Sequence, residues 1–224
     1  MPISQYFLAK FEENRFYHVI CKSIADRKLF PDNTSRLSFL ESYDYYLSDF
    51  VNTYSYCLLI NHIHLLIQPK SIDYISQTLR QYPLEHLTLT QKRFLLFDRI
   101  NMFHELIEQQ FNRLFISYAI QYNKRESKIG HLFLRPFRRI VIQNDSHLRQ
   151  IVIYIHSNPL KHNTVQDFRN YKWSACKAIL SEAPTHLCRK EVLDWFEGKE
   201  NFIKVHQEQV SHYYEHPYCG CLID

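Results

Sequence analysis

Two histidines stand two residues apart in Asn61-His62-Ile63-His64-Leu65-Leu66-Ile67, inside a run otherwise made of aliphatic side chains. In a strand, side chains alternate between faces, so His62 and His64 leave one face together while Ile63, Leu65 and Ile67 enter a core on the other. Adjacent imidazoles on one face can hold a divalent ion through two positions and leave others for substrate oxygens. A bare pair of this kind is more often two polar residues on a half-exposed strand. A second cluster is Tyr154-Ile155-His156-Ser157-Asn158-Pro159. Tyr154 and Asn158 are i and i+4, so on a helix they share a face, with His156 pointing elsewhere. An Asn carbonyl is a hard ligand for Mg²⁺ or Mn²⁺, and a tyrosine becomes a nucleophile when its phenolate is favoured by a nearby cation. Read alone, Tyr154 is more simply a packed aromatic with its hydroxyl at the surface.

The elements that must position these groups follow from periodicity. Phe16 to Ile24 is aromatic and β-branched and reads as a first strand, followed by the turn Pro31-Asp32-Asn33. Thr34 or Ser35 can cap a helix over Arg36 to Phe50. Val51 to Ile60 and His62 to Gln68 read as consecutive strands, with Asn61 at a bulge or tight junction. Lys70 to Arg99 is ambiguous, because Pro83 and Leu87-Thr88-Leu89-Thr90 break a helical period. Met102 to Lys124 carries one apolar stripe, including Phe111, Leu114, Phe115 and Tyr118, and is a clear helix. Leu132 to Gln143 returns to strand character. Asp145 or Ser146 can cap a helix from His147 to about Asn158, which Pro159 should end.

Composition excludes several function classes. The 224 residues suffice for one domain with a full core, and 46% hydrophobic with 22% charged residues is ordinary for a globular chain. There are three glycines, where average usage of about 7% would give roughly sixteen. No glycine-rich phosphate loop, dinucleotide fingerprint or nucleophile elbow can be written with so few. The net charge of +4 permits an anionic partner without demanding one. Six cysteines without an apolar leader between Met1 and Lys10 fit a reducing, cytoplasmic setting. Phe50 to Pro69 lacks formal charge but holds too many amides, hydroxyls and imidazoles to face lipid, so no membrane role is expected.

In this order, the string Asn61-His62-Ile63-His64-Leu65-Leu66, a long helix, a basic strand and Tyr154-Ile155-His156-Ser157-Asn158-Pro159 resemble the REP-associated tyrosine transposases. These are single-tyrosine members of the HUH endonuclease superfamily, related to small insertion-sequence transposases. The resemblance spans about Phe16 to Ala175. It implies an α+β, ferredoxin-like domain with a central antiparallel sheet, here residues 1–180, with 181–224 as a C-terminal extension. It also implies His62, His64 and Asn158 as ligands of Mg²⁺ or Mn²⁺, and Tyr154 as the nucleophile. The expected activity is cleavage and rejoining of single-stranded or hairpin DNA from repeat elements through a 5′-phosphotyrosine, by a bacterial cytoplasmic monomer or homodimer. The alternative is a domesticated hairpin- or sequence-specific DNA binder with strand transfer weak or lost. A hydrolase using water would instead turn over without a protein–DNA adduct.

Lys124, Arg125 and Lys128 lead into Arg135, Arg138 and Arg139, interleaved with Phe133 and Phe137, a mixture suited to phosphates and stacked bases. Lys161 lies just past Pro159 and joins Lys124, Arg125, Arg135, Arg138 and Arg139 as a candidate DNA contact. Three departures from the family pattern stand out, one of them Lys172-Trp173-Ser174-Ala175-Cys176, where a tryptophan followed by a Tyr-Ser-Ser-Tyr-like string is usual. Leu160-Lys161-His162-Asn163 replaces the usual glycine after Asn-Pro, with Asn163 able to take the left-handed conformation, and the Ser71 to Asn101 segment is longer than the usual connection. His212, His216, Cys219 and Cys221, with His186 and Cys188 upstream, hold enough soft ligands for zinc but not at a standard spacing.

Overall fold

The structure, a computed structural model, describes residues 5–215, with side chains from 6 to 209. Four strands, β1 (Tyr17–Lys22), β2 (Val51–Leu58), β3 (His62–Pro69) and β4 (Arg138–Val141), form one sheet in the order β2-β3-β1-β4. With helices α1 (Asn33–Leu47) after β1 and α4 (Arg99–Arg125) after β3, the order of elements is βαββαβ. That connectivity with that strand order is the ferredoxin-like α+β arrangement expected from the sequence. β1 runs antiparallel to both neighbours, pairing Tyr17 with Ile67 and Lys22 with His62 on one side, and Tyr17 with Val141 and Ile20 with Arg138 on the other.

The chain divides into two compact units, one of residues up to 52 with 58–142, the other of 53–57 with 143 onward. In the first unit, the register puts Tyr17, Val19, Cys21, Ile63, Leu65 and Ile67 on one face of the sheet. The aromatic stripe of α4 supplies a core with Phe111, Phe115 and Tyr118. Phe111 lies 5.3 Å and Phe115 5.5 Å from Phe137, Phe11 stacks on Phe111, and the Tyr118 hydroxyl donates to the Leu29 carbonyl at 2.6 Å. Each such ring, removed from water, contributes roughly 1.5–3 kcal/mol. Phe133 and Phe137 therefore belong to this core, at 5% and 4% exposure, and are not stacking platforms for bases.

Caps explain where the helices differ from the periodicity. α1 begins earlier than expected because Asp32, rather than Thr34 or Ser35, caps it, in a reciprocal box with Ser35. That backbone hydrogen bond, aided by Arg125 and Arg36, holds the Asp32 carboxyl below its ordinary range. The ambiguous segment holds α2 (Ile72–Leu79), a short 3-10 turn after Pro83, and α3 (Leu89–Leu96). The threonines that disturb the helical period there are a start signal, since Thr88 and Gln91 form a second capping box. The basic strand is shorter than expected. Residues 132–134 follow the end of β1 through Ile24 N–H to the Leu132 carbonyl and Leu134 N–H to the Lys22 carbonyl. Pro136, with no N–H to give, then interrupts the ladder before β4.

The second unit centres on α5 (Asp145–Lys161), capped by Asn144, with α6 (Ala175–Leu180), α7 (Arg189–Trp195) and α8 (Lys199–Glu215). Pro159 does not end α5. The helix runs two residues further and stops at Asn163, whose φ of 51° is left-handed, while Thr164 N–H donates to the Pro159 carbonyl. Pro159 has no N–H to give the Ile155 carbonyl, so α5 loses one intrahelical bond there without ending, and Asn163 does the work of the expected glycine. A buried polar chain ties three segments of this unit together. Ser55 Oγ is 2.9 Å from His156 Nε2, His156 Nδ1 is 3.0 Å from His206 Nε2, and His206 Nδ1 is 2.7 Å from the Phe202 carbonyl. Among the described residues no helix is long and apolar enough to cross a membrane.

Candidate active site

β3 places His62 and His64 on the face opposite Ile63, Leu65 and Ile67, with ring centroids 4.9 Å apart and planes nearly perpendicular. Both are buried, at 6% and 0% exposure, so this is not a half-exposed polar strand. Each ring has its Nδ1 engaged. His62 Nδ1 is 2.7 Å from Asn61 Oδ1, and the Asn61 amide is oriented by its Nδ2 donating to Asp26 at 3.4 Å. A carbonyl oxygen only accepts, so His62 carries its proton on Nδ1 and its lone pair on Nε2. His64 Nδ1 lies 3.0 Å from Nε2 of His18, a fully buried residue of β1 placed diagonally across the strand pair. When His64 Nδ1–H donates and His18 accepts, His64 also presents Nε2 as its basic nitrogen. This is the outer-shell pattern of ligating histidines.

On α5, Tyr154 and Asn158 share a face as the i, i+4 spacing requires, and Lys161 joins them one turn later. The Lys161 ammonium sits 5.6 Å from the centre of the Tyr154 ring. The Tyr154 carbonyl accepts from Ser157 Oγ at 3.1 Å and from Asn158 Nδ2 at 3.3 Å. Those bonds fix the Asn158 amide, and its Oδ1 is a buried acceptor with no partner among the described residues. A hard, dehydrated amide oxygen is a fitting ligand for Mg²⁺ or Mn²⁺, and imidazole nitrogens suit Mn²⁺ slightly better than Mg²⁺. Tyr154 is 6% exposed and Asn158 1%. His156 points into the Ser55–His206 chain, as its place in the helical period demands.

The candidate DNA cations separate into groups. Lys124, Arg135 and Lys161 are exposed. Arg138 is half-buried, its guanidinium 5.0 Å over the Phe7 ring, and Arg125 is paired with Asp32 at 3.7 Å and Glu126 at 3.0 Å. Arg139 does not fit the expectation of a DNA contact. It is 5% exposed, Nε donates to the Ala9 carbonyl at 2.6 Å, its Nη1 lies 2.8 Å from Glu108, and its guanidinium covers Phe11 and Phe137. The side chain is spent on the interior, because alternation puts it on the face of Val19, with Arg138 opposite.

Among the described residues no group of three or more His, Cys, Asp or Glu side chains is arranged to hold a metal, so the expected ligand set depends on the Asn158 amide. His212, His216, Cys219 and Cys221 lie outside the described side chains. Cys21 and Cys176 are buried thiols outside any disulfide, and burial pushes the Cys176 pKa up to about 12, so neither is a nucleophile. Periodicity did not single out His18, because its role depends on strand register.

No family model matches the chain, and no curated protein matches its sequence. In three dimensions the chain is similar to a solved structure of a REP-associated tyrosine transposase bound to a REP hairpin, with a TM-score of 0.51 and 14% identity over 81% of this chain and 89% of that one. The likeness is one of fold, and it agrees with the strand order and connectivity described above.

Proposed function

We propose that this protein is a metal-dependent DNA strand transferase that cuts and rejoins single-stranded or hairpin DNA through Tyr154. The observation that carries the reading is the pair His62 and His64, side by side on β3 and each hydrogen-bonded through Nδ1, an arrangement of outer partners that a merely structural pair does not require. In this reading His62 Nε2, His64 Nε2 and Asn158 Oδ1 hold Mg²⁺ or Mn²⁺, which when bound would offset negative charge on the scissile phosphate. The Tyr154 oxygen attacks phosphorus as the bond to the 3′ oxygen breaks, and the proton given up by the phenol is matched by the one the departing 3′-hydroxyl takes up. The 5′ end stays on the enzyme as a phosphotyrosine, which conserves the phosphodiester for rejoining. Lys161 places a positive charge 5.6 Å from the centre of the Tyr154 ring. Residues 1–180 carry the catalytic groups, 181–224 follow them and supply His206 to the helix of Tyr154, and exposed Lys124, Arg135 and Lys161 with Arg138 meet the DNA backbone.

The burial of Tyr154, Asn158 and His64 favours a second reading, a hairpin-binding protein whose strand transfer is weak or lost. One experiment separates the two. Labelled hairpin DNA from repeats flanking the gene is incubated with wild-type protein and Tyr154→Phe, in Mn²⁺ or EDTA, and run on a denaturing gel. A metal-dependent covalent band absent from Tyr154→Phe is the expected outcome. Binding without any adduct selects the second reading, and cutting that survives Tyr154→Phe overturns both in favour of water as the nucleophile.

A further inference from the structure

The longer segment between β3 and α4 builds a feature that strand transfer does not use. Between α1, α2, α3 and α4 lies a half-open cavity of about 490 Å³, a volume ordinary for small-molecule sites. Its walls include Tyr45, Tyr46 and Tyr82, and its lining also holds Asp49, Gln110 and Arg113. Tyr45 and Tyr82 are 77% and 47% exposed, so their rings stand at the opening, and Tyr45 meets Tyr46 edge-on at 4.9 Å. The Tyr82 hydroxyl donates to one Asp49 carboxylate oxygen at 3.0 Å, which sets that ring in place and raises the Tyr82 pKa.

Gln110 supplies the independent sign of a ligand. It is 1% exposed, and its Oε1 accepts from Arg113 Nη1 at 3.1 Å. A guanidinium only donates, so the amide cannot be flipped, and Nε2 is left as a buried donor with no partner among the described residues. Such a donor is costly to leave unmade, and here it lines a cavity. Arg113 is held over the Tyr46 ring at 5.1 Å, which keeps the pair rigid. A ligand that suits this lining is flat, to lie against tyrosine faces. Its edge carries an acceptor for Gln110 Nε2 and a donor for the carboxylate of Asp49. A nucleobase has all three properties, whereas an alkyl chain has none, and a phosphate, though Arg113 would attract it, has neither a flat face for the tyrosines nor a donor for Asp49.

We infer that this cavity binds an unpaired base of single-stranded DNA. The choice of a DNA strand as the source of the base rests on the function proposed above, and the chemistry of the site does not. The test uses the full chain with three dodecamers: oligo-dT, the same strand bearing one 5-iodouracil for photocrosslinking, and an abasic strand of equal length. Crosslinks are located by mass spectrometry, and affinities are measured for wild type, Gln110→Leu and Tyr45→Ala, with circular dichroism melts checking each fold. The expected result is a crosslink on a peptide holding Tyr45, Tyr46 or Tyr82. Both variants should weaken oligo-dT binding roughly tenfold and leave abasic binding unchanged. Tyr45→Ala, on the exposed rim, keeps the test valid if Gln110→Leu unfolds.

Crosslinks confined to other regions, or an abasic strand bound as tightly as oligo-dT, overturn the assignment. Free deoxythymidine that abolishes the crosslink at the strand's own concentration moves the cavity to a soluble nucleoside and overturns the strand as its source. The outcome is separable from the transferase reading, because the Tyr154 adduct is scored in a different assay. An adduct without the crosslink removes the pocket alone, and a crosslink without an adduct removes the transferase alone.

Discussion

A histidine ligates through one ring nitrogen, and the partner of the other nitrogen decides which. His62 has its Nδ1 proton committed to Asn61, whose amide is itself oriented by Asp26. His64 depends on His18, and a His–His bond has no fixed direction until one member is committed. Metal binding through His64 Nε2 requires His18 to accept, so His18 is a positioning residue. His18→Leu leaves a buried Nδ1–H without an acceptor, or drives His64 to the tautomer that places its proton on Nε2. Mn²⁺ affinity should then fall about 10–100-fold, whereas His18→Gln, which keeps an acceptor, should hold most of it. Electron paramagnetic resonance of free Mn²⁺ gives the measurement without any DNA. Leu and Gln variants that bind Mn²⁺ equally well would remove His18 from the site.

At the scale of elements, α5 carries Tyr154 and Asn158 on one face and is anchored from another by the chain Ser55, His156, His206. The terminal acceptor sets every proton in that chain. The Phe202 carbonyl takes His206 Nδ1–H, so His206 Nε2 accepts from His156 Nδ1–H, and His156 Nε2 accepts from the Ser55 hydroxyl. These roles hold because both imidazoles are neutral near pH 7, burial pushing His206 down to about 4 and His156 well below its ordinary value. A depressed histidine pKa favours the folded state above the unfolded pKa of about 6.5. The unfolded chain gains protons first as pH falls from there toward about 4, and stability declines over that window by a few kcal/mol from His206. Urea melts at pH 7 and 5 should show the loss, and His206→Leu should flatten it, although its stability at pH 7 is lower. An unchanged slope in His206→Leu would place the acid sensitivity elsewhere. This anchoring was not legible in the sequence, because it joins residues 101 and 50 positions apart and depends on tertiary contact. The strands, α1, α4 and the histidine pair were legible, since periods of 2 and 3.6 record which face is buried. The capping box at Thr88 was misread as a break because a cap and a breaker use the same polar residues, and only the following residues decide between them.

For the whole molecule, a net charge of +4 is too small to identify DNA as a partner, so the distribution of the cations has to carry the argument. Of the six cations expected to meet DNA, the fold withdraws Arg139 into an ion pair with Glu108 and shares Arg125 with Asp32 and Glu126. Lys124, Arg135 and Lys161 are exposed and Arg138 half-exposed, and each can release a counterion on meeting a phosphate. Replacing Lys124 or Arg135 by Ala should therefore weaken binding to any single strand and reduce the slope of log K against log salt by about 0.7 per residue. Stability should move by less than about 0.5 kcal/mol, as at ordinary surface positions. Arg139→Ala should do the reverse. It takes one partner from Glu108, which keeps His104 at 4.0 Å, and empties the space beside Phe11 and Phe137, costing about 1–3 kcal/mol of stability, while the salt slope of the protein that remains folded stays at the wild-type value. Titrating hairpin binding at several salt concentrations beside denaturant melts measures both quantities on the same samples. A lowered slope in Arg139→Ala would mean that this arginine leaves its pair with Glu108 to reach DNA, and that the sheet rearranges around β4 when DNA binds.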